Sequence, residues 1–578
     1  MQKTAARLAR HALEQVGVRY TFGIPGVHNT ELYDEFAASG SITPVLVAHE
    51  CGGAFMADAV SRSGAGLGTL LIVPAAGVTH AASGIGEAFL DGIPLLVIAG
   101  GIRRDTGRAY QLHDMDQHAL LAPITKGRWR VDTHAEVVPI IYEACRLAMS
   151  GEPGPVFVEI PVNLQLMTGD SGDIPEFVPL PRASHHASPA DIARAAELLQ
   201  RAERPGIFCG WGTVDATAEL RQLAELLGAP VATTLQGLSS FPASHPLHAG
   251  FALGPAAAPA SENAFRDCDC LLAVGTRFAE IPTGSFGYEP PAKLIHVDIN
   301  PRVFGANYKP AVALEGDARA VLAALIGSLG PVPGGPERAH RVREQIAADK
   351  RGYHDEWLAH DSKGRVNPAR FFDALRSRLP DDAIVVADDG NHTFLVAELM
   401  PIHAPRSFFS PSDFNSMGYC IPAAIGAKLA RPDRVVVGIV GDGAARMTGL
   451  EMATAVAQKT GVVWFIFNDG ELAQIAQAQE TPYNRKTCTV LPELDFEGLA
   501  RANRVGYRVM RNDDDIGRVI ADALAAAATG QPMLVDVHID YTKRTRFTEG
   551  VIRTNLKRFG LSDKTRLIGR ALWRRVTG

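Results

Sequence analysis

The sequence predicts an α/β protein of three doubly wound parallel-sheet domains followed by a basic amphipathic C-terminal tail. Three observations carry that prediction. Short apolar, β-branched runs alternate with helical patterns along almost the whole chain, as in parallel sheets covered by helices. Two polar stretches containing Pro or Gly, 169–189 and 330–337, interrupt the alternation and read as linkers. The 578 residues suffice for about three or four domains at ~100–200 residues each.

The elements follow in order. The first unit, 1–170, opens with an amphipathic helix and carries the strand-like runs TPVLVAHE, GTLLIVPAA, IPLLVIAGG and GPVFVEIPV. The second, 185–335, carries RPGIFCGWG, GAPVATTL, CDCLLAVGTRF and AKLIHVDINP, separated by helical patterns such as DATAELRQLAELLG. A helical connector leads to the third, 360–545, with AIVVADDG, RVVVGIVGDG, GVVWFIFND and PMLVDVHID. The first and third units share a coarse plan, compatible with a distant duplication. Residues 546–578 form the tail.

Composition excludes several classes. A hydrophobic content of 46% with 21% charged residues argues against general disorder. A net charge of −6 provides no global field for nucleic acid. Seven scattered cysteines without a CxxC pair exclude a disulfide framework and a zinc finger and fit a reducing cytosol. No signal-like run opens the chain, and no uncharged apolar stretch reaches the ~18 residues of a membrane span. The expected location is cytoplasmic. The charge is uneven, however: residues 543–578 hold eleven Lys/Arg against two acids, a local +9.

Open α/β sheets bind ligands beyond the carboxyl ends of their strands, and the third unit gathers acids and glycines there. Gly441-Asp442-Gly443 ends one strand, and Asn468-Asp469-Gly470, with Asp469 27 residues after Asp442, ends the next. Glycines at a strand-to-helix turn let backbone N–H groups approach a phosphate, and the helix N-terminus adds a favourable dipole. Asp442 offers a hard oxygen to Mg²⁺, which commonly bridges protein and phosphate, and Asp469 offers a second. A Gly-Asp-Gly turn alone is usually only a turn; followed by a helix, a strand and Asn-Asp at this separation it is far more specific. In the first unit Glu50 follows a buried strand and precedes a small-residue helix.

These segments resemble the thiamine-diphosphate (ThDP) enzymes of the acetohydroxyacid synthase, pyruvate oxidase and 2-oxo-acid decarboxylase group. The resemblance covers roughly residues 1–545, in the order pyrimidine-binding, central and diphosphate-binding domain. It implies that Asp442, Asp469 and the backbone carbonyl of Glu471 hold Mg²⁺, with Asp469 standing where the family usually has Asn. It implies cofactor contacts from Gly441, Gly443, Ala444, Glu471, Asn391 and His392. Met417 would prop the cofactor into its V shape, and the carbonyl of Asn415 would meet its 4′-amino group. Glu50 would bond N1′ of the pyrimidine and so promote the tautomer that takes the C2 proton.

On the substrate side, Lys126 matches a lysine of the acetohydroxyacid synthases, and His113 stands where those enzymes carry Gln. His28, at the first sheet's carboxyl edge, is placed to face the thiazolium; with His113 it would handle protons near neutrality. Gln474 is a candidate polar contact. Gln477-Ala478-Gln479 replaces the Gln-Trp pair that selects the acceptor in those synthases. In the central unit Arg277 and Asp298 match flavin-binding segments, while Ala279-Glu280-Ile281 replaces the family's Asp-Asp-Arg, so FAD is an open expectation.

The implied function is decarboxylation of a 2-oxo acid and ligation of the resulting enamine to a carbonyl acceptor, acetolactate-synthase-like. The alternatives are non-oxidative decarboxylation to an aldehyde, flavin-linked oxidation at the membrane surface, and a catalytically silent partner subunit, against which Glu50 and Asp442 argue. A homodimer or homotetramer is implied, with Glu50 and Asp442 serving one site from different chains. In the tail, Leu567, Ile568, Ala571, Leu572 and Val576 share one helical face, and Arg566, Arg570 and Arg574 another. With Trp573 this resembles the lipid-binding segment of quinone-linked pyruvate oxidase and fits peripheral contact with the inner membrane surface. The competing expectation is docking on the chain's own body or over its active site.

Overall fold

The computed structural model describes the backbone of residues 2–577 other than 182, 183 and 185, and the side chains among them except those of 481, 482, 568, 572 and 575–577. Three sheets of six parallel strands, each flanked by helices, make up the α/β fold. The first runs from edge to edge as Thr43–Leu46, Tyr20–Gly23, Gly68–Ile72, Leu95–Gly101, Pro155–Pro161 and Gly127–Arg130. The third runs Phe408–Phe409, Ile384–Ala387, Val436–Gly441, Val462–Phe467, Met533–Val537 and Gly506–Met510. Counting strands by chain order within each sheet, both read 2-1-3-4-6-5. The coarse plan shared by the two units is one topology used twice. The central sheet, whose strands include Pro205–Cys209, Cys270–Val274 and Lys293–Asp298, reads 3-2-1-4-5-6, a dinucleotide-fold order.

Helices on both faces explain the unbroken apolar strands: Gly68–Ile72 and Val462–Phe467 are buried throughout. The first and third units meet through helices Glu50–Arg62 and Cys420–Ala430. A Cβ on Gly426 would lie 2.2 Å from the Met56 carbonyl oxygen, so the absence of a side chain sets that close approach. Beside it, Arg62 pairs with Asp58 at 2.6 Å and Asp91 at 2.7 Å, all fully buried. Tyr419 donates to Asp58 at 2.6 Å. Such a cluster fixes register more than it adds stability, although removing one member costs about 3–5 kcal/mol.

The tail differs from the expectation of one segment beginning at 546. Residues Arg546–Arg558 form a helix packed into the body: Phe547 stacks on Phe394 with ring centroids 4.0 Å apart. The Glu398 carboxylate accepts from the backbone N–H groups of Arg546 and Phe547, at 3.1 and 2.8 Å. Apolar burial and capping therefore hold this half of the basic segment. The second helix, Leu561–Thr577, lies on helix Ala473–Tyr483. Arg574 donates to the Tyr483 carbonyl at 2.9 Å, and the Arg570 guanidinium sits 4.4 Å from the Tyr483 ring centroid. These contacts are those of docking on the chain's own body. Of the apolar face, the side chains of Ile568, Leu572 and Val576 lie outside the described residues. Among the described residues no helix is long and apolar enough to cross a membrane.

Candidate active site

In the third sheet, Gly441 pairs with Phe467 in parallel register, and Ile384–Ala387 flanks the other side of Val436–Gly441. Three strand ends, 388–392, 441–443 and 468–471, thus converge where the strand order reverses, the usual place for a ligand in such a sheet. They border a cavity of about 140 Å³ whose wall includes Asn391, His392, Met417, Gly441, Asp442 and Gly443. Ala444, Asp469, Glu471 and Gln474 complete that side of it.

Asp442 ties two of the turns together. One carboxylate oxygen accepts from the Gly443 N–H and the other from the Gly470 N–H, both at 2.8 Å. Burial raises its proton affinity. Asp469 beside it is pushed up to about 7, first by burial and then by the charge of Asp442. Two carboxylates that disfavour each other's ionisation in one pocket form an arrangement that a hard divalent cation relieves. The Glu471 carboxylate is drawn off by Lys486, whose ammonium lies 2.7 Å from both oxygens, so Glu471 has its main-chain carbonyl to offer. This oxygen set fits Mg²⁺.

The neighbouring wall fits a diphosphate. Gly441 and Gly443 let two side chains close on the turn, since Cβ atoms there would lie 2.9 Å from the His392 ring and 2.5 Å from Leu472. Asn391 Oδ1 and His392 Nε2 are buried without partners and call for a polar ligand: the amide oxygen, an acceptor, for a cation or a donor, and the ring nitrogen, in its Nε2–H tautomer, for a phosphate oxygen. Burial holds His392 neutral, pushed down to about 3. Asp388, fully buried, accepts from the Gly418 and Cys420 N–H groups at 2.8 Å. It pins the segment carrying Asn415 and Met417. Asn415 adopts a left-handed φ of 60°; in the orientation that satisfies its amide, the nitrogen donates to the carbonyls of Pro411 and Ser412 at 3.1 and 2.7 Å.

In the first unit, Glu50 opens helix Glu50–Arg62 and is 5% exposed. One carboxylate oxygen lies 3.0 Å from His80 Nδ1. Gly77 leaves room at the other, since a Cβ there would stand 3.4 Å from it. The backbone just before Glu50 is held from the third unit: Glu451 accepts from the N–H groups of Ala48 at 3.1 Å and His49 at 2.8 Å. Gly52 makes room for this contact, because a Cβ there would lie 2.3 Å from the Glu451 carboxylate. His80 and Glu451 carry no sequence signature. Asp388 does carry one, as the first acid of a strand-end Asp-Asp-Gly. Glu50 is absent from the wall of the Asp442 cavity of its own chain.

His28 and His113 come together, ring centroids 5.1 Å apart and edge to face. His28 is buried with Nδ1 unpartnered; burial, and then His113, push its imidazole below the ordinary range. Lys126 departs from the substrate contact expected of it. Its ammonium donates to the carbonyls of Leu147, Ser150 and Glu152, at 2.6, 2.6 and 2.8 Å, just where helix Val137–Met149 ends. All three N–H bonds are consumed on carbonyls of that helix end and of the turn that follows it. Lys126→Met is therefore expected to cost about 1–3 kcal/mol of stability, read from a urea midpoint, with the KM for substrate unchanged. A raised KM at an unaltered midpoint would return Lys126 to the substrate site.

Comparison with known families agrees with the geometry. Three models described as thiamine pyrophosphate enzyme domains match in succession: the N-terminal TPP-binding domain over residues 3–120, the central domain over 192–325, and the C-terminal TPP-binding domain over 388–537. The chain belongs to the thiamine-diphosphate-dependent enzymes. It is 31% identical over 549 residues to a probable acetolactate synthase large subunit of Methanocaldococcus jannaschii, covering 92% of this chain and 90% of that one. It is 32% identical over 551 residues to the acetolactate synthase isozyme 1 large subunit of Escherichia coli, covering 93% and 94%. To the isozyme 3 large subunit of the same organism it is 29% identical over 557 residues, covering 93% and 95%. Within the family it falls in the acetolactate synthase group.

Proposed function

We propose that this chain is a ThDP- and Mg²⁺-dependent enzyme that decarboxylates a 2-oxo acid and joins the remaining fragment to a carbonyl acceptor, as acetolactate synthases do. The observation that carries the reading is the Asp442–Asp469 pair at adjoining strand ends, roofed by glycine turns and faced by the unmet ring nitrogen of His392. Asp442, Asp469 and the Glu471 carbonyl would hold the metal; Gly441, Gly443, Ala444, Asn391 and His392 would line the diphosphate. Met417 and the Asn415 main chain would support the rings. Bound there, ThDP supplies a nucleophilic carbon and an electron sink for decarboxylation. Glu50 would hold a proton at the pyrimidine N1′. Because Glu50 does not face the Asp442 cavity of its own chain, a complete site draws Glu50 from a second copy, which implies at least a dimer.

A second reading, release of an aldehyde, is favoured by one observation. The His28–His113 pair presents a largely neutral imidazole able to move a proton, and aldehyde release needs a proton delivered to the enamine carbon, which ligation instead bonds to the acceptor carbonyl. Gln477, whose amide donates to the Tyr541 carbonyl at 2.9 Å, belongs to the segment lacking the acceptor-selecting Trp. Incubation with a panel of 2-oxo acids, with CO₂ release and product mass spectrometry, separates the readings. A coupled 2-hydroxy-3-oxo acid supports ligation, a free aldehyde supports the second reading, and no CO₂ from any member overturns both.

A further inference from the structure

The sequence resemblance leaves a flavin open for the central unit, and the cavity that would receive it has the wrong charge. It measures about 370 Å³ and lies where all three units meet. Its wall carries six acids, among them Asp91, Glu152, Asp298 and Asp413, against two bases, Arg277 and Arg406. Both bases are committed. Arg406 forks onto Asp215 at 2.8 and 2.6 Å. Arg277 pairs with Glu152 at 3.2 Å and Asp413 at 2.5 Å, and also donates to the Leu90 carbonyl. A flavin dinucleotide would bring its diphosphate charge against a net-acidic wall whose guanidinium groups are already spent. The residues present do not fit that group.

The partners of Arg277 indicate its work. Asp413 belongs to the 410–418 segment, which carries Asn415 and Met417. Besides Asp388, which holds Gly418, anchors of that segment come from the end of helix Ala76–Leu90 and the residue after it. Asp91 accepts from the N–H groups of Ser412 at 3.3 Å and Asp413 at 3.0 Å, and Glu87 accepts from the Ser416 N–H at 3.1 Å. Arg277 grips both sides of this clamp at once, the segment through Asp413 and the helix end through Leu90. The left-handed Asn415 at φ 60° is a conformation that persists in a non-glycine residue where its surroundings hold it.

We propose that Arg277 is a positioning residue: it locks the 410–418 segment against Glu87 and Asp91 so that Asn415 and Met417 meet ThDP, and the cavity around it does not take a flavin. This rests on the reading of that segment as the support of the cofactor rings.

The test uses the full chain and its Arg277→Gln, Arg277→Lys and Asp413→Asn variants, together with the Arg277→Gln/Asp413→Asn double variant. Each is gel-filtered after incubation with FAD, then titrated with ThDP in the presence of Mg²⁺, with apoprotein melting recorded alongside. No flavin is expected to stay with any form. Arg277→Gln is expected to raise the ThDP dissociation constant about tenfold. Arg277→Lys recovers only part, since an ammonium lacks the planar fork. The double variant is no worse than the worse single one, because the pair acts as a unit. A lowered melting point with unmoved ThDP affinity overturns the proposal, as does stoichiometric FAD retained by the wild type. A wild type that binds no ThDP removes the underlying reading and the proposal with it. Wild-type binding with unmoved variants removes the proposal alone.

Discussion

Glu50→Gln lowers the rate of CO₂ release from the preferred 2-oxo acid by roughly 10³-fold, within the range that a positioned proton-holding group contributes, while ThDP still binds. The substitution is nearly isosteric. Glutamine keeps the volume at the head of helix Glu50–Arg62 and a partner for His80 Nδ1. The backbone before it stays held by Glu451. What glutamine cannot do is hold a mobile proton at the pyrimidine. The loss therefore falls on turnover, with ThDP affinity and melting temperature near those of the wild type; steady-state CO₂ release and ThDP titration read the two separately. Undiminished turnover would remove Glu50 from the chemistry.

Asp442→Asn acts at the other half of the site and through binding. The amide lacks the charge that attracts the metal, and the carboxylate's two hydrogen bonds to Gly443 and Gly470 cannot both be kept by one amide oxygen. Metal-assisted ThDP affinity is expected to fall at least about 10²-fold, the upper part of the range seen when support for a metal site is lost. The empty protein loses little. Burial raises the proton affinity of Asp442, the sign of a charge that folding does not favour, so near neutral pH a neutral side chain relieves strain as it gives up a hydrogen bond. Titration calorimetry measures the first effect and apoprotein melting the second. Mixing Asp442→Asn with Glu50→Gln subunits should restore activity that neither shows alone, because one of the sites in a mixed dimer would then carry both residues intact. An inactive mixture of exchanged subunits would place Glu50 and Asp442 on the same chain's site.

How much of this was legible in the sequence follows from what each feature depends on. The three sheets were, because strands buried on both faces must be apolar throughout. Asp442 and Asp469 were, because consecutive parallel strands joined by a helical crossover bring their carboxyl ends side by side, as the pairing of Gly441 with Phe467 shows. The surroundings of Glu50 were not. Glu451 reaches it from about 400 positions downstream, and Gly52 reads as a helix glycine until the carboxylate it admits is seen. Lys126 matched a motif, but its ammonium answers a helix end some 21–26 residues away, a need invisible in local pattern. Arg277 likewise matched a flavin segment whose meaning depends on Asp413, a residue of another unit. The basic tail was legible as helical, but its division into a packed half and a docked half was not: Phe547 is one aromatic among charges until Phe394 lies against it.

The central claim is a cradle for a metal and a diphosphate at adjoining strand ends, and equilibrium binding of ThDP to the full chain with and without Mg²⁺ tests it most directly. Saturable binding that appears with Mg²⁺, disappears on chelation and weakens sharply for thiamine monophosphate is the predicted result. Binding indifferent to the metal, or none at all, would contradict it.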